Sequence, residues 1–311
     1  RMLEKEITKK IDLSWYCKKI EAAYLLRKNL HIESNAYRLI YSESDFLPGL
    51  IADFFNDYII LQIATLGMEK DKKLIVDALL KTIPNLKGIY EKSEGDGRKL
   101  EGLSEKIGVV WGEVPNNISI FEGTANFIID LKGQKTGFYS DQRENRILIG
   151  NFTKNKDFLD VCNYTGGFSA QALANGAKSA TLVDISEDAL NVAKENLKKY
   201  SNVEYIKGNI FDILRDLLKQ GKTWDIVNLD PPKLAPNKRD LDKALKAYKD
   251  IILQGLKLTR KGGFLSIYSC SGSVTSNDLR MALAYAVKDA GVKVTIVPVS
   301  YTHLRAHETL A

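Results

Sequence analysis

Two textures of hydrophobic patterning divide this chain. From Ala36 to about Leu131 the apolar residues come in short runs, YRLIY, YIILQIA, KGIYEK, VVWGE and NFIIDL, which read as strands. One helix is predicted near EKDKKLIVDALLKTI, residues 69–83, while LPGL and NNIS carry turn chemistry. The stretch 36–131 therefore reads as a small α+β domain, with no catalytic constellation in it. Ahead of it, SWYCKKIEAAYLLRKNL places Ile20, Ala23 and Leu30 on one helical stripe behind a Ser14 cap, the pattern of a connecting helix within an N-terminal linker, residues 1–35.

After LKGQKTGFYSDQRENR the period changes. Strand and helix alternate: DFLDVC, a helix from Phe168, SATLVDI, a helix from Glu187, VEYIKGN, a helix near Asp212, DIVNLD, a helix near Tyr248, GGFLSIYS, a helix near Asp278, and a last strand over Val292 to Val297. Continuous apolar strands between helices predict a doubly wound, mostly parallel sheet covered on both faces, spanning residues 132–298. Ligands of such a sheet sit at the carboxyl ends of its strands.

Composition narrows the setting. With 311 residues and 44% hydrophobic content the chain suits two domains. Cys17, Cys162 and Cys270 are odd in number and widely spaced, which excludes a disulfide framework or zinc spacing and suggests a reducing cytoplasm. No apolar run approaches the roughly 20 residues of a membrane span, and RMLEKEITKK lacks the apolar core of a signal peptide and begins as a fragment would. Residues 299–311 include VSYTHLRAHET, which resembles the translation of a transposon adapter; they are read as a non-native tail. His303 and His307 lie in that tail without a third ligand, so no metal site is expected.

The net charge is +6, and the window from Lys233 to Lys261 holds nine Lys or Arg against three Asp or Glu, a local excess as large as the whole. Such a run is either a solvated helix face or a footprint for phosphates.

Three strand ends carry candidate chemistry. DVCNYTGGFSAQAL ends a strand in a glycine pair that opens a helix, and the following strand ends in Asp184. Glycines admit a ligand close to the backbone, and an acid at the second strand end can accept from both ribose hydroxyls; a tight turn with a helix cap is the plainer alternative. The dinucleotide pattern G-x-G-x-x-G is absent, which favours an adenosine-type ligand without pyrophosphate. In NLDPPKLAPNK, Asp230 is followed by two prolines that either merely end the strand or rigidify a loop able to hold a planar base. Lys233, Lys238 and Arg239 follow it and favour a polyanion. In SIYSCSGS, Cys270 lies where strand becomes loop. A free cysteine is commonly a small buried hydrophobe, but this position suits a nucleophile.

Together these signals resemble the class I S-adenosylmethionine-dependent methyltransferases, with their Rossmann-like domain. More closely, the chain is similar to the bacterial large-subunit ribosomal RNA cytosine-C5 methyltransferases from about Ala36 to Pro298, on NAYRLIYSESDFLPGL, KTGFYSDQRENR, DVCNYTGGFSAQAL, NLDPPKLAPNK and YSCSGS. In that family an RNA-binding PUA domain precedes the small α+β domain, and none is seen here. The resemblance implies S-adenosylmethionine as cofactor and ribosomal RNA as partner, with no membrane or metal. It implies that Asp160, Tyr164, Thr165, Gly166 and Gly167 line the methionine end, with Phe168 beside them. Asp184 and Ile185 would hold ribose and adenine, Asn209 would stand where relatives tend to have an acid, with Ile210 beside it at the cofactor, and Phe138, Tyr139, Asp141, Gln142 and Arg143 would close over the cofactor. Cys270 would be the nucleophile toward cytosine C6, with Asp230 orienting the base. Methylation of an exocyclic amine of guanine or adenine, and a non-catalytic RNA-binding protein, are the competing readings.

Overall fold

A computed structural model describes residues 10–131 and 138–297, in two compact units, one ending at Arg143 and the next beginning at Glu144. The predicted tail, with His303 and His307, lies outside the described residues.

In the first unit, helix α1 (Leu13–Asn29) begins at Asp12, whose carboxylate accepts the Trp15 amide at 3.0 Å. Asp12 is thus the cap in place of Ser14, since its side chain reaches the third residue onward. Ile20 and Ala23 are buried as the stripe predicts, but Leu30 is the C-cap and is exposed. There follow β1 (Ala36–Tyr41), β2 (Leu50–Phe55), β3 (Tyr58–Ile63), α2 (Leu66–Lys70), α3 (Lys72–Thr82), β4 (Gly88–Ser93), α4 (Asp96–Leu100) and β5 (Lys106–Gly112). The sheet runs β1-β2-β3-β4-β5, with β3 and β4 parallel and the other neighbours antiparallel. The helix expected to be a connector belongs to this core. Trp15, Tyr16 and Ile20 pack in one cluster with Ile75 and Leu79 of α3 and with Leu39, Ile59 and Ile89 of the sheet.

The expected helix over 69–83 is two helices meeting at Asp71, where the Tyr16 hydroxyl donates to the Asp71 carboxylate at 2.8 Å. Two strands are additional to the prediction. β2 lacks an alternating pattern, but Asn56 and Asp57, at φ 44° and 70°, close a two-residue loop whose twist suits a hairpin with β3. The NNIS segment is not a turn: β6 (Asn117–Glu122) starts within it and pairs with β7 (Ala125–Asp130), burying Ile118 and Ile120 on alternate positions.

The second unit has the α/β, Rossmann-like architecture. Its elements are α5 (Arg143–Gly150), β8 (Asp157–Val161), α6 (Gly167–Ala174), β9 (Ser179–Asp184), α7 (Glu187–Leu197), β10 (Val203–Lys207), α8 (Ile210–Lys219), β11 (Trp224–Leu229), α9 (Leu241–Leu258), β12 (Thr259–Ile267) and α10 (Ser276–Ala290). The sheet is parallel throughout, in the order β10-β9-β8-β11-β12. Leu159, Val161, Val227 and Leu229 of the central strands are buried with Leu214 and Leu217 of α8 and Ile251 and Ile252 of α9. Each such side chain stabilises the fold by about 1.5–3 kcal/mol, so the strand ends are anchored. Strand order reverses at β8, opening a crevice between the loops that follow β8 and β11.

Val292 to Val297 form no strand, contrary to the pattern. Val292, Val294, Ile296 and Val297 are exposed, and among the described residues no strand pairs beyond β12. An apolar alternation becomes a strand only when a neighbour takes up its backbone hydrogen bonds.

Candidate functional site

The carboxyl end of β8 turns sharply. The amides of Cys162 and Asn163 both donate to the Val183 carbonyl, at 2.8 and 3.2 Å, and Cys162, Tyr164 and Gly166 adopt φ of 61°, 50° and 81°. Glycine takes this left-handed backbone freely, whereas for Cys and Tyr it costs of order 1 kcal/mol or more and persists only where neighbours enforce it. Here the neighbours are explicit. The Tyr164 amide donates to Asp184 Oδ2 at 2.9 Å, the Gly166 amide to the Asn163 carbonyl at 2.9 Å, and Asn196 Nδ2 to the Thr165 carbonyl at 2.9 Å. Asn163 Nδ2 donates to the Tyr164 carbonyl at 2.8 Å, while its Oδ1 is buried with no hydrogen-bond partner. This turn holds an unsatisfied acceptor.

Asp184 is half-buried, and its other oxygen accepts the Ser186 amide at 2.9 Å, so the carboxylate is fixed beside the turn. Ile185 next to it is exposed. Asn209 caps α8 by accepting the Phe211 amide at 2.9 Å; an amide oxygen keeps a second lone pair for a ligand. Ile210 lines a small hollow with Val161, Cys162, Leu229, Asp230, Pro231 and Ile251.

Asp160 is placed differently from the other expected cofactor residues. It is fully buried, accepting from the Ser169 amide at 3.1 Å, the Ser169 hydroxyl at 2.7 Å and Asn228 Nδ2 at 3.0 Å. Asn228 Oδ1 in turn accepts from the Ser266 hydroxyl at 2.6 Å. A polar ladder thus crosses β8, β11 and β12 beneath the three loops and ties in the start of α6. Burial pushes the Asp160 carboxyl up to about 6, against the lowering effect of its Ser169 and Asn228 bonds.

Asp230 and Cys270 come from the two strands on the other side of the crevice. The Asp230 amide donates to the Val161 carbonyl at 3.1 Å, and the Tyr268 amide donates to the Leu229 carbonyl at 3.0 Å. Asp230 therefore stands between the β8 turn and the loop carrying Cys270, and Cys270 is exposed. Cys162 is unsuited to nucleophilic work: burial, then the charges of Asp184, Asp230 and Asp160, push its thiol far up. Lys233, Lys238 and Arg239 are exposed after Pro232. Phe168 is buried and stacks near Tyr268, with ring centroids 5.2 Å apart.

In the first unit, Phe138 packs on Phe127 at 5.2 Å between ring centroids. Tyr139 is half-buried and precedes a short 3-10 turn containing exposed Asp141 and half-buried Gln142, and Arg143 is buried.

Sequence reasoning missed several residues. Arg146 is buried against the glycine pair: a Cβ at Gly167 would stand 3.0 Å from its Cδ. Its place in QRENR, three residues beyond Arg143, was the available signal. Asn163 and Asn228 sit inside quoted motifs, but their roles depend on partners remote in sequence. Among the described residues no group of three or more His, Cys, Asp or Glu could hold a metal ion, and no helix is long and apolar enough to cross a membrane.

Residues 145–254 match the family model described as Conserved hypothetical protein 95. The chain is 38% identical over 294 residues to a ribosomal RNA large subunit methyltransferase I of Alteromonas mediterranea, covering 92% of this chain and 74% of that one. It is 39% identical over 298 residues to the protein of that name from Vibrio cholerae, covering 92% and 75%. Among solved structures, a protein of Streptococcus mutans described as a SAM-dependent methyltransferase superposes with a TM-score of 0.75 at 22% identity, over 90% of this chain and 73% of that one. A methyltransferase complexed with SAH superposes with a TM-score of 0.76 at 24% identity, over the same shares. These structural likenesses bear on the fold.

Proposed function

We propose, since this chain belongs to the ribosomal RNA large subunit methyltransferase I family, that it transfers a methyl group from S-adenosylmethionine to C5 of a cytosine in ribosomal RNA. The observation that carries the reading is the exposed Cys270 thiol beside Asp230 at adjoining strand ends, next to the β8 turn.

The residues of that turn fit the cofactor. Asn163 Oδ1 is an acceptor suited to an ammonium group, and Asp184 keeps lone pairs for ribose hydroxyls. Tyr164, Thr165, Gly166 and Gly167 would frame the methionine end, with Ile185, Asn209 and Ile210 toward the adenine. When bound, S-adenosylmethionine supplies an electrophilic methyl group. Cytosine C5 is a weak nucleophile until C6 is attacked, and Cys270 as thiolate forms that C6 bond, moving the 5,6 electron pair onto C5 for methyl transfer. Loss of the C5 proton then restores the double bond and expels the Cys270 sulfur. Asp230 holds the base by its N3 or N4 edge, and the base enters from a loop or flipped from its stack. Lys233, Lys238 and Arg239 would meet the RNA backbone. A ribosomal substrate agrees with the cytoplasmic setting expected from the cysteines.

The test uses ribosomal RNA carrying 5-fluorocytosine at the methylated position. No C5 proton remains after methylation, so elimination stalls and a denaturation-resistant protein–RNA complex should accumulate. Cys270→Ala should abolish both this complex and methyl transfer, with cofactor affinity retained. Methylation of unfluorinated RNA without any trapped complex would overturn the nucleophile and favour amine methylation.

A further inference from the structure

The loop bearing Cys270 reads Ser269-Cys270-Ser271-Gly272-Ser273, small residues that cannot fix their own conformation by packing. What holds it comes from α9. Tyr248 is fully buried, and its hydroxyl donates to Ser269 Oγ at 2.8 Å. Ser269 Oγ also accepts the Ser271 amide at 3.3 Å, and Ser271 Oγ accepts the Ala235 amide at 3.1 Å from the loop that begins at Asp230. The Ser271 carbonyl accepts the Val274 amide at 2.9 Å, closing the loop on itself. One phenol thus anchors a chain of bonds that straddles Cys270 and reaches the Asp230 loop.

We propose that Tyr248 is a positioning residue for the Cys270 nucleophile, fixing through Ser269 and Ser271 the separation between the thiol and the base held at Asp230. This rests on the reading of Cys270 as nucleophile. The ring of Tyr248 is packed among Ile251, Ile252 and Ala244 in the core cluster, so Tyr248→Phe keeps the packing and removes only the hydroxyl anchor. Nothing in the bond chain touches Asp184 or the β8 turn, which leaves donor binding outside its effect.

Reacting atoms must lie within about 3–3.5 Å in an aligned geometry, and a 1 Å displacement costs about 100-fold in rate. Tyr248→Phe should therefore slow adduct formation on 5-fluorocytosine RNA by about 10- to 100-fold, with KM for RNA and Kd for S-adenosylmethionine within about twofold of wild type. Ser269→Ala should do the same, and the double variant should be no slower than either single one, because both cut the same chain. A general loss of structure would instead lower Tm, weaken donor binding and add in the double variant. The measurements are the single-turnover adduct rate, calorimetry with S-adenosylmethionine and thermal melting, on the full chain. If wild type traps no RNA while methylating it, the nucleophile reading fails. Where wild type does trap RNA, an unchanged rate in Tyr248→Phe, or additive losses with weakened donor binding, overturns the positioning role.

Discussion

Replacing Asp160 by Asn keeps the size of the side chain and removes its charge. In the folded protein burial pushes this carboxyl up to about 6, whereas an unfolded chain leaves aspartate near its ordinary value of about 3.9. Because the folded value is the higher one, the contribution of Asp160 to stability is whole below about pH 4 and is lost as pH rises through about 6. The gap corresponds to about 3 kcal/mol, fully developed at pH 7. The variant escapes this loss. Its amide adds one donor where the carboxylate only accepts, but Asn228 can turn over to accept it while the Ser266 hydroxyl accepts from Asn228 in turn. Any lost hydrogen bond, about 1 kcal/mol each, shifts the variant equally at every pH. Urea unfolding followed by Trp224 fluorescence, with Trp15 and Trp111 replaced by Phe in both proteins, reads the second unit alone. The stability difference between variant and parent should move in the variant's favour by about 3 kcal/mol between pH 4 and pH 7, then level off. Parallel curves across that range would refute a buried, strained carboxylate at Asp160.

Two other outcomes test the remainder of the site. Asp184→Ala should raise the Kd for S-adenosylmethionine by about 10-fold or more, as hydrogen bonds to a charged group contribute about 1.5–3 kcal/mol; calorimetry showing equal affinity would remove Asp184 from the cofactor site. Neutralising Lys233, Lys238 and Arg239 together should weaken RNA binding and flatten its salt dependence by roughly 0.7–0.9 in slope for each phosphate no longer neutralised, and an unchanged slope would make them a solvated face.

Much of the second unit was legible because parallel strands buried on both faces leave continuous apolar runs, and the residues at the ends of such runs fall where the strands meet the loops. Asp184, Asp230 and Cys270 could be placed at strand ends on those grounds. Asn163, Asn228 and Tyr248 were not, since their roles consist of which buried polar atoms they satisfy or leave unsatisfied, and those atoms arrive from other elements. Asp160 was visible as a motif acid, but its burial depends on Asn228 and Ser169 closing around it. The same limit explains the strands. The Asn56-Asp57 loop creates β2 by pairing, whereas Val292 to Val297 have the pattern of a strand and no partner.

The left-handed residues at Cys162 and Tyr164 carry a consequence for engineering this chain. Glycine at either position would relieve backbone strain, yet it would also free the unfolded chain, so the two effects on stability roughly cancel. Rigidity would not cancel. A turn whose direction is imposed by non-glycine side chains has few alternative conformations, and glycine would give it many. Selection for heat resistance alone would leave such substitutions unnoticed, while the turn proposed to hold the methyl donor lost its order.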